Sequence, residues 1–223
     1  MINYDKDILR VKARAAADGV RMDLEAVVTR GYIDIGKSAP EKIARKRLLV
    51  NGVPKRLIDF AGNFKVTLFG PWDLDLVTEA PTLRRKFLDT VISQVNREYR
   101  RAALSYEKGL RQRNRLLWDM REHPSTSSGR ERLLFWDKLL IKNGDYIGQQ
   151  RAEFIEFANA GKFQIPISNY QLEYDKSAIS EGRLEQYAEE EVEAATTLVG
   201  PHRDDFVFKL ENKDLARFGS RGE

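Results

Sequence analysis

The chain has 223 residues, no cysteine and only two histidines, His123 and His202. That length supports one large domain or two small ones around a buried core, and the residue content excludes disulfides, iron–sulfur clusters, thiolate zinc sites and multi-histidine metal centres. The net charge of +4, from 38 basic and 34 acidic residues, excludes neither an enzyme nor a binding protein.

The first part reads as β. Ile8 to Ala17 and Met22 to Thr29 flank Asp18-Gly19, and Asp-Gly between two extended runs predicts a hairpin because both turn residues tolerate positive φ. Arg47 to Val50, Asn51-Gly52 and Val53 to Arg56 repeat the pattern. Pro54 cannot donate to a ladder, which places that arm at an edge. Tyr32 to Arg45 reads as strand then loop, and Val66-Thr67-Leu68-Phe69, stopped by Gly70-Pro71, as a short buried strand. The middle is helical. From Leu83 an apolar stripe runs through Phe87, Leu88, Val91, Ile92, Val95, Tyr99, Ala102, Tyr106, Leu110 and Leu117, at spacings that share one helix face. Asn96 and Gly109 are its weak points, so two abutting helices fit as well as one. Ser125 to Gly129 is a linker, and a second helix spans about Glu131 to Ala160, with Asn143-Gly144 as a dent. The two form an antiparallel pair with the linker at its tip. Phe163, Ile165, Ile167, Leu172 and Tyr174 return the chain to β, Glu181 to Ala195 reads as a short acidic helix, and Phe206 to Leu210 as a strand.

The fold class expected from this order is α+β, with a helical arm or lid inserted into an antiparallel β body. Charge is unevenly distributed. Leu83 to Arg121 holds eleven Lys/Arg against four Asp/Glu, and Ser180 to Glu193 holds one against six, which predicts one basic and one acidic face. No apolar run approaches the roughly 18 residues of a membrane span. The first ten residues carry Asp5, Lys6 and Asp7 and no apolar signal core. A cytoplasmic protein without a membrane partner is expected.

Three segments are more specific. Phe69-Gly70-Pro71-Trp72-Asp73-Leu74-Asp75-Leu76-Val77 leads to Pro81-Thr82-Leu83-Arg84-Arg85-Lys86-Phe87-Leu88-Asp89. Tyr106, Leu110, Gln112-Arg113-Asn114 and Leu116-Leu117 are followed by Trp136-Asp137. Gly200-Pro201-His202-Arg203-Asp204-Asp205 leads to Phe218-Gly219-Ser220-Arg221-Gly222-Glu223. In this order and spacing they resemble the RecF family, bacterial recombinational-repair ATPases of the ABC/SMC type. The resemblance implies the antiparallel β portion of an ABC-type ATPase head with an inserted helical lid. It divides the chain into β-rich head (1–79), lid with a short β return (80–195) and return strands ending in the ABC signature (196–223). It implies a DNA replication and repair protein that uses ATP and magnesium in the complete family member. The implied partners are DNA at single/double-strand junctions and RecR-type and RecO-type mediators, and a homodimer is among the assemblies it allows.

The family's Ser-x-Gly-Gln signature maps to Ser220, Arg221, Gly222 and Glu223, where a serine hydroxyl and glycine amides would contact nucleotide held by an opposite subunit. Glu223 stands in place of the usual glutamine, and Trp72 where the family usually has an acidic residue. Pro71, Asp73, Leu74, Gly200, Pro201, His202, Arg203, Asp204 and Asp205 belong to the family motifs. Gly31-Tyr32-Ile33-Asp34-Ile35-Gly36-Lys37-Ser38 has the G-x-x-x-x-G-K-[ST] spacing, but it falls in the stretch read as strand then loop and lacks the strand-to-helix context of a phosphate-binding loop. Nor does an acidic strand for magnesium follow the signature. The expectation is an internal piece of a RecF-like protein that holds no cofactor and turns over no ATP by itself, with no catalytic residue and no metal site.

Candidate DNA contacts are Arg84, Arg85, Lys86, Arg97, Arg101, Lys108, Arg111, Arg113 and Arg115. Of these, 97, 101, 108, 111 and 115 fall on one helix side, as a phosphate-facing stripe would. Two plainer readings compete: a solvated helix face, and for 84 to 86 ion pairing with Asp73, Asp75, Glu79 or Asp89. The alternative function is a nucleotide-independent DNA-binding or protein-docking module built on the basic lid. His202 with Asp204 and Asp205 reads as a turn before a strand rather than a catalytic base. Tyr99, Tyr106, Trp118 and Trp136 read as core between the helices. Glu189 to Glu191 reads as a solvated face.

Overall fold

The computed structural model describes residues 2–17, 19–33, 41–42, 44–123, 129–161 and 170–219. They divide into two compact units, Met1–Val66 and Thr67–Glu223.

The first unit is an antiparallel sheet of order β1-β2-β5-β6, built from β1 (Ile8–Ala17), β2 (Val20–Thr29), β5 (Lys46–Val50) and β6 (Val53–Lys55); β3 (Tyr32–Ile33) and β4 (Glu41–Lys42) pair separately. Both hairpins form where turn chemistry predicts them. Ala17 faces Val20 across a turn with Gly19 at φ 77°. Asn51 and Gly52 take φ 51° and 77°, the double left-handed geometry that matches strand twist in a two-residue loop. Pro54 lies in the edge strand β6, where its missing N–H leaves no ladder bond unmade. Leu24 and Leu48 are buried, and α1 (Leu57–Phe60) packs on β5. The expected strand at Val66–Phe69 is not found. Those residues take no strand conformation, and Val66, Leu68 and Phe69 are exposed. An apolar run becomes a buried strand only where neighbouring strands supply ladder partners and cover its side chains.

The second unit is mainly helical. A 3-10 turn, Pro71–Leu74, and α2 (Asp75–Thr78) lead into α3 (Pro81–Val95), α4 (Arg97–Glu122) and α5 (Gly129–Ala160). Asn96 leaves the helical region at φ −115°, ψ 106° and its side chain accepts a hydrogen bond from the Tyr99 N–H, capping α4 and separating it from α3. Gly109, the other weak point, does not break the helix. It is buried, and a Cβ there would lie 2.6 Å from Leu139 Cδ2, so its small size lets α5 approach. α4 and α5 run antiparallel, since Asn96 meets Tyr146 and Gln150 while Arg113 meets Asp137. Gly144 likewise sits mid-helix in α5, and a Cβ on it would meet Ile179 at 2.7 Å.

After α5 the chain forms β7 (Tyr170–Asp175), α6 (Glu181–Gln186), α7 (Ala188–Ala194), β8 (Asp205–Leu210), β9 (Lys213–Asp214) and α8 (Leu215–Phe218). The acidic helix is therefore two helices, and β7, β8 and β9 make an antiparallel sheet. Phe163, Ile165, Ile167 and most of the Ser125 to Gly129 linker lie outside the described residues. The core joins Leu88, Ile92, Tyr99, Ala102 and Tyr106 to Leu140, Ile147 and Ile155 of α5, and to Ile179, Leu184, Val199 and Phe206 of the return. Trp118 departs from the expected core position and is 48% exposed. Among the described residues no helix is long and apolar enough to cross a membrane.

Candidate nucleic-acid interface

The basic residues of α3 and α4 divide by where helical periodicity points them. Arg84 lies beside Leu88 on the inward face of α3 and is 8% exposed. Its guanidinium forks onto Asp205 at 2.7 and 3.0 Å and donates to the Glu79 carbonyl at 2.7 Å. An ion pair thus offsets its place near a helix N-terminus, with Asp205 as partner rather than Asp73, Asp75, Glu79 or Asp89. Arg113 is 3% exposed. It lies 2.6 Å from Asp137 and 2.6 Å from Glu191, and donates to Thr197 Oγ1 at 2.9 Å. Neither guanidinium is left open to a phosphate. Arg113 follows Gly109 by four residues and precedes Leu116 and Leu117 by three and four, so it stands on the buried stripe.

Lys86, Arg97, Arg101, Lys108, Arg111 and Arg115 are exposed, and Arg111 pairs with Glu107 one turn away. Arg85 is half-buried and donates to the Asp204 carbonyl at 2.8 Å and to Thr82 Oγ1 at 3.1 Å. Burial, reinforced by nearby Arg151, lowers its pKa.

The basic and acidic runs meet in the fold. Acidic α7 packs on basic α4. Glu191, in the run read as solvated, is fully buried. One of its carboxylate oxygens accepts from the Leu198 N–H at 2.8 Å, and the other meets Arg113 by charge. Glu189 and Glu190 remain exposed.

The Gly200 to Asp205 motif is a buried fastening. Gly200 has φ 119° and packs against the Tyr106 hydroxyl, a conformation and approach that favour glycine. Pro201 opens a 3-10 turn. Asp204 is fully buried. One oxygen accepts from Arg151 at 2.8 Å and from the Tyr174 hydroxyl; the other accepts from the Ser177 N–H at 2.8 Å. Arg151 also reaches Asp89 and the Pro201 carbonyl, both at 2.7 Å, and the Tyr99 hydroxyl at 3.1 Å. Burial alone would lower the pKa of Arg151, but Asp89, Tyr99 and Asp204 outweigh it and raise the value. Arg151, Thr197 and Glu191 were not foreseen in these roles; their sequence neighbourhoods name no partner 50 or more residues away. Arg203 is exposed and donates to the Thr197 carbonyl. Nearer the start of the unit, Asp73 accepts from the Gly70 N–H at 2.6 Å, Pro71 begins that turn, and Leu74 is exposed.

His202 bonds to the Tyr106 hydroxyl through Nδ1 at 2.8 Å and to the Thr197 carbonyl through Nε2 at 2.9 Å. Burial, with Arg203 and Arg85 nearby, lowers its pKa to about 4, against the raising effect of Thr197 and Asp204. The folded chain therefore binds this proton less readily than the unfolded chain. The stabilising effect of neutral His202 is complete above about pH 6.5 and is lost as pH falls towards 4, at up to about 1.4 kcal/mol per unit. Urea denaturation between pH 7.5 and 4.5 is expected to show a flatter stability profile for His202→Gln than for the parent; parallel profiles would contradict this.

No family model matches the chain. It is 34% identical over 212 residues to the DNA replication and repair protein RecF of Herpetosiphon aurantiacus, covering 90% of this chain and 54% of that one. To the same-named protein of Thermomicrobium roseum it is 31% identical over 243 residues, covering 96% and 59%. A solved structure of the recombination mediator protein RecF-ATPrS in the RecFOR pathway matches with a TM-score of 0.83 at 27% identity, over 99% of this chain and 61% of the other.

The chain belongs to the RecF family. Its fold is that of a RecF ABC-type head, α+β as expected. It spans a little over half to about three fifths of the length of the relatives it matches. The solved RecF structures are complexes with ATP or an analogue. Among the described residues no group of three or more His, Asp or Glu could hold a metal ion, and Gly36, Lys37 and Ser38 of the phosphate-loop spacing lie outside the described residues. Ser220, Arg221, Gly222 and Glu223 lie outside the described residues.

Proposed function

We propose that this chain acts in DNA replication and repair as the lid-bearing part of a RecF-type head, contacting DNA through the exposed cations of α3 and α4. The supporting observation is the match to RecF structures over 99% of the chain. The buried arginines give this part its rigidity: Arg84, Arg113 and Arg151 tie the helices to β8 and to the segments flanking it. DNA, and RecR-type and RecO-type mediators, are the partners, and the setting is cytoplasmic. ATP and magnesium belong to the family's full-length architecture, and the chain by itself is expected to turn over no ATP.

The test is equilibrium titration with a labelled duplex carrying a single-stranded gap, at 50 and 200 mM NaCl. A few phosphate contacts predict an affinity loss on the order of 50-fold between those salts. No binding at 50 mM NaCl would remove the DNA reading and favour a protein-docking module.

A further inference from the structure

A groove of about 520 Å³ opens between α3 and α4. Arg151, Tyr106 and His202 are among the residues lining it, together with Arg85, Lys86 and Arg100. The arginine of the buried network is neutralised there by Asp89 and Asp204. Arg100 is held on the Ser93 carbonyl, and the acidic Glu107 pairs with Arg111. Arg85 and Lys86 differ. Among the described residues neither forms an ion pair, and Arg85 uses two hydrogen bonds, both to neutral oxygens, out of the five N–H donors of a guanidinium. Burial, with Arg151 and Arg203 nearby, lowers its pKa against the raising effect of Asp205 and Asp204.

We propose that this groove seats a phosphodiester group of a DNA strand, with Arg85 as the ligand and Lys86 beside it. This rests on the DNA-binding reading above and gives it a location. Arg85 is pre-positioned, because the Asp204 carbonyl and Thr82 hold the guanidinium and leave the remaining donors for an anion. Fork geometry suits phosphate oxygens. Ala103, Leu104 and Leu110 line the groove with aliphatic surface, which accommodates a deoxyribose and reads no base edge. The seat is therefore indifferent to sequence. A free nucleotide would want a nest of backbone amides. Apart from Thr82 and the Pro201 turn, the groove is walled by helix interiors, whose N–H groups are taken up within the helices.

The experiment compares the parent with Arg85→Gln, Arg85→Lys and Arg14→Gln by fluorescence anisotropy on the gapped duplex at several salt concentrations, after circular dichroism has checked folding. Arg14→Gln removes the same charge from the β unit, where it pairs with Asp23 at the surface. Arg85→Gln is expected to weaken binding about tenfold at 50 mM NaCl and to reduce the slope of log affinity against log salt by about one. Arg85→Lys should keep the slope and lose part of the affinity, and Arg14→Gln should change neither. Equal losses for Arg85→Gln and Arg14→Gln would overturn the proposal, as would an unchanged Arg85→Gln; both leave the broader DNA reading standing. Failure of the parent to bind DNA would overturn both. Inorganic phosphate at matched ionic strength forms a separate arm. If it protects the parent but not Arg85→Gln against heating while DNA binding is unaffected by the substitution, the seat takes a free anion and the DNA assignment is wrong.

Discussion

Arg151→Ala is expected to lower the stability of the chain by about 3 to 5 kcal/mol, the usual result of leaving a buried carboxylate without its counter-charge. Asp204 is fully buried and Arg151 is its charge partner at 2.8 Å. The same guanidinium closes bonds to Asp89, the Tyr99 hydroxyl and the Pro201 carbonyl. Its loss therefore loosens α3, α4 and the turn before β8 together. Tyr174 and the Ser177 N–H still reach Asp204, so Asp204→Asn in the Arg151→Ala background should recover part of the loss. The pair should show coupling in a double-mutant cycle rather than additivity. Urea denaturation of the four proteins measures this. A single-variant loss below about 1 kcal/mol, a value typical of surface pairs, would contradict the role given to the network.

Arg113→Met should have an effect of similar size, about 3 to 5 kcal/mol. For a chain of this length that corresponds to a fall in melting temperature of roughly 10 °C. Methionine keeps much of the volume and removes the charge, so the loss reports Glu191, Asp137 and Thr197 rather than a cavity. Glu191 is the decisive partner because it is fully buried and also holds the Leu198 N–H. Adding Glu191→Gln to Arg113→Met should restore part of the melting temperature. If Arg113→Met instead melted with the parent and weakened DNA binding, Arg113 would belong with the exposed cations.

The contrast between Arg113 and Arg85 shows what the sequence makes legible. Both stand in basic runs, and charge counting treats them alike. Periodicity separates Arg113, which sits in register with Gly109, Leu116 and Leu117, and that signal was open to a reader of the sequence. Nothing local reveals that Asp204 meets Arg151 or that Glu191 meets Arg113, because those pairs are set by tertiary packing across 53 and 78 positions. The hairpins were readable because Asn51-Gly52 and the glycine of Asp18-Gly19 meet a local backbone demand. The break at Asn96 was readable as a weak point, and Gly109 was not distinguishable from it. A glycine that ends a helix and one that admits a neighbouring helix look the same until the neighbour is placed. Val66 to Phe69 misled for the converse reason: its apolarity is local, but its exposure depends on what lies beside it. The family motifs were legible as a pattern, and their physical role in this unit, a buried polar fastening, was not.

Cross-linking by mass spectrometry tests the central claim most directly. The chain is irradiated in complex with a gapped duplex carrying 4-thiothymidine, and the modified peptides are identified. Cross-links are expected within 82–115, around Lys86 and the exposed face of α4, with none on peptides containing only buried Arg151. Cross-links confined to the β-sheet of Met1–Val66 would contradict the assignment of DNA contact to the helical lid.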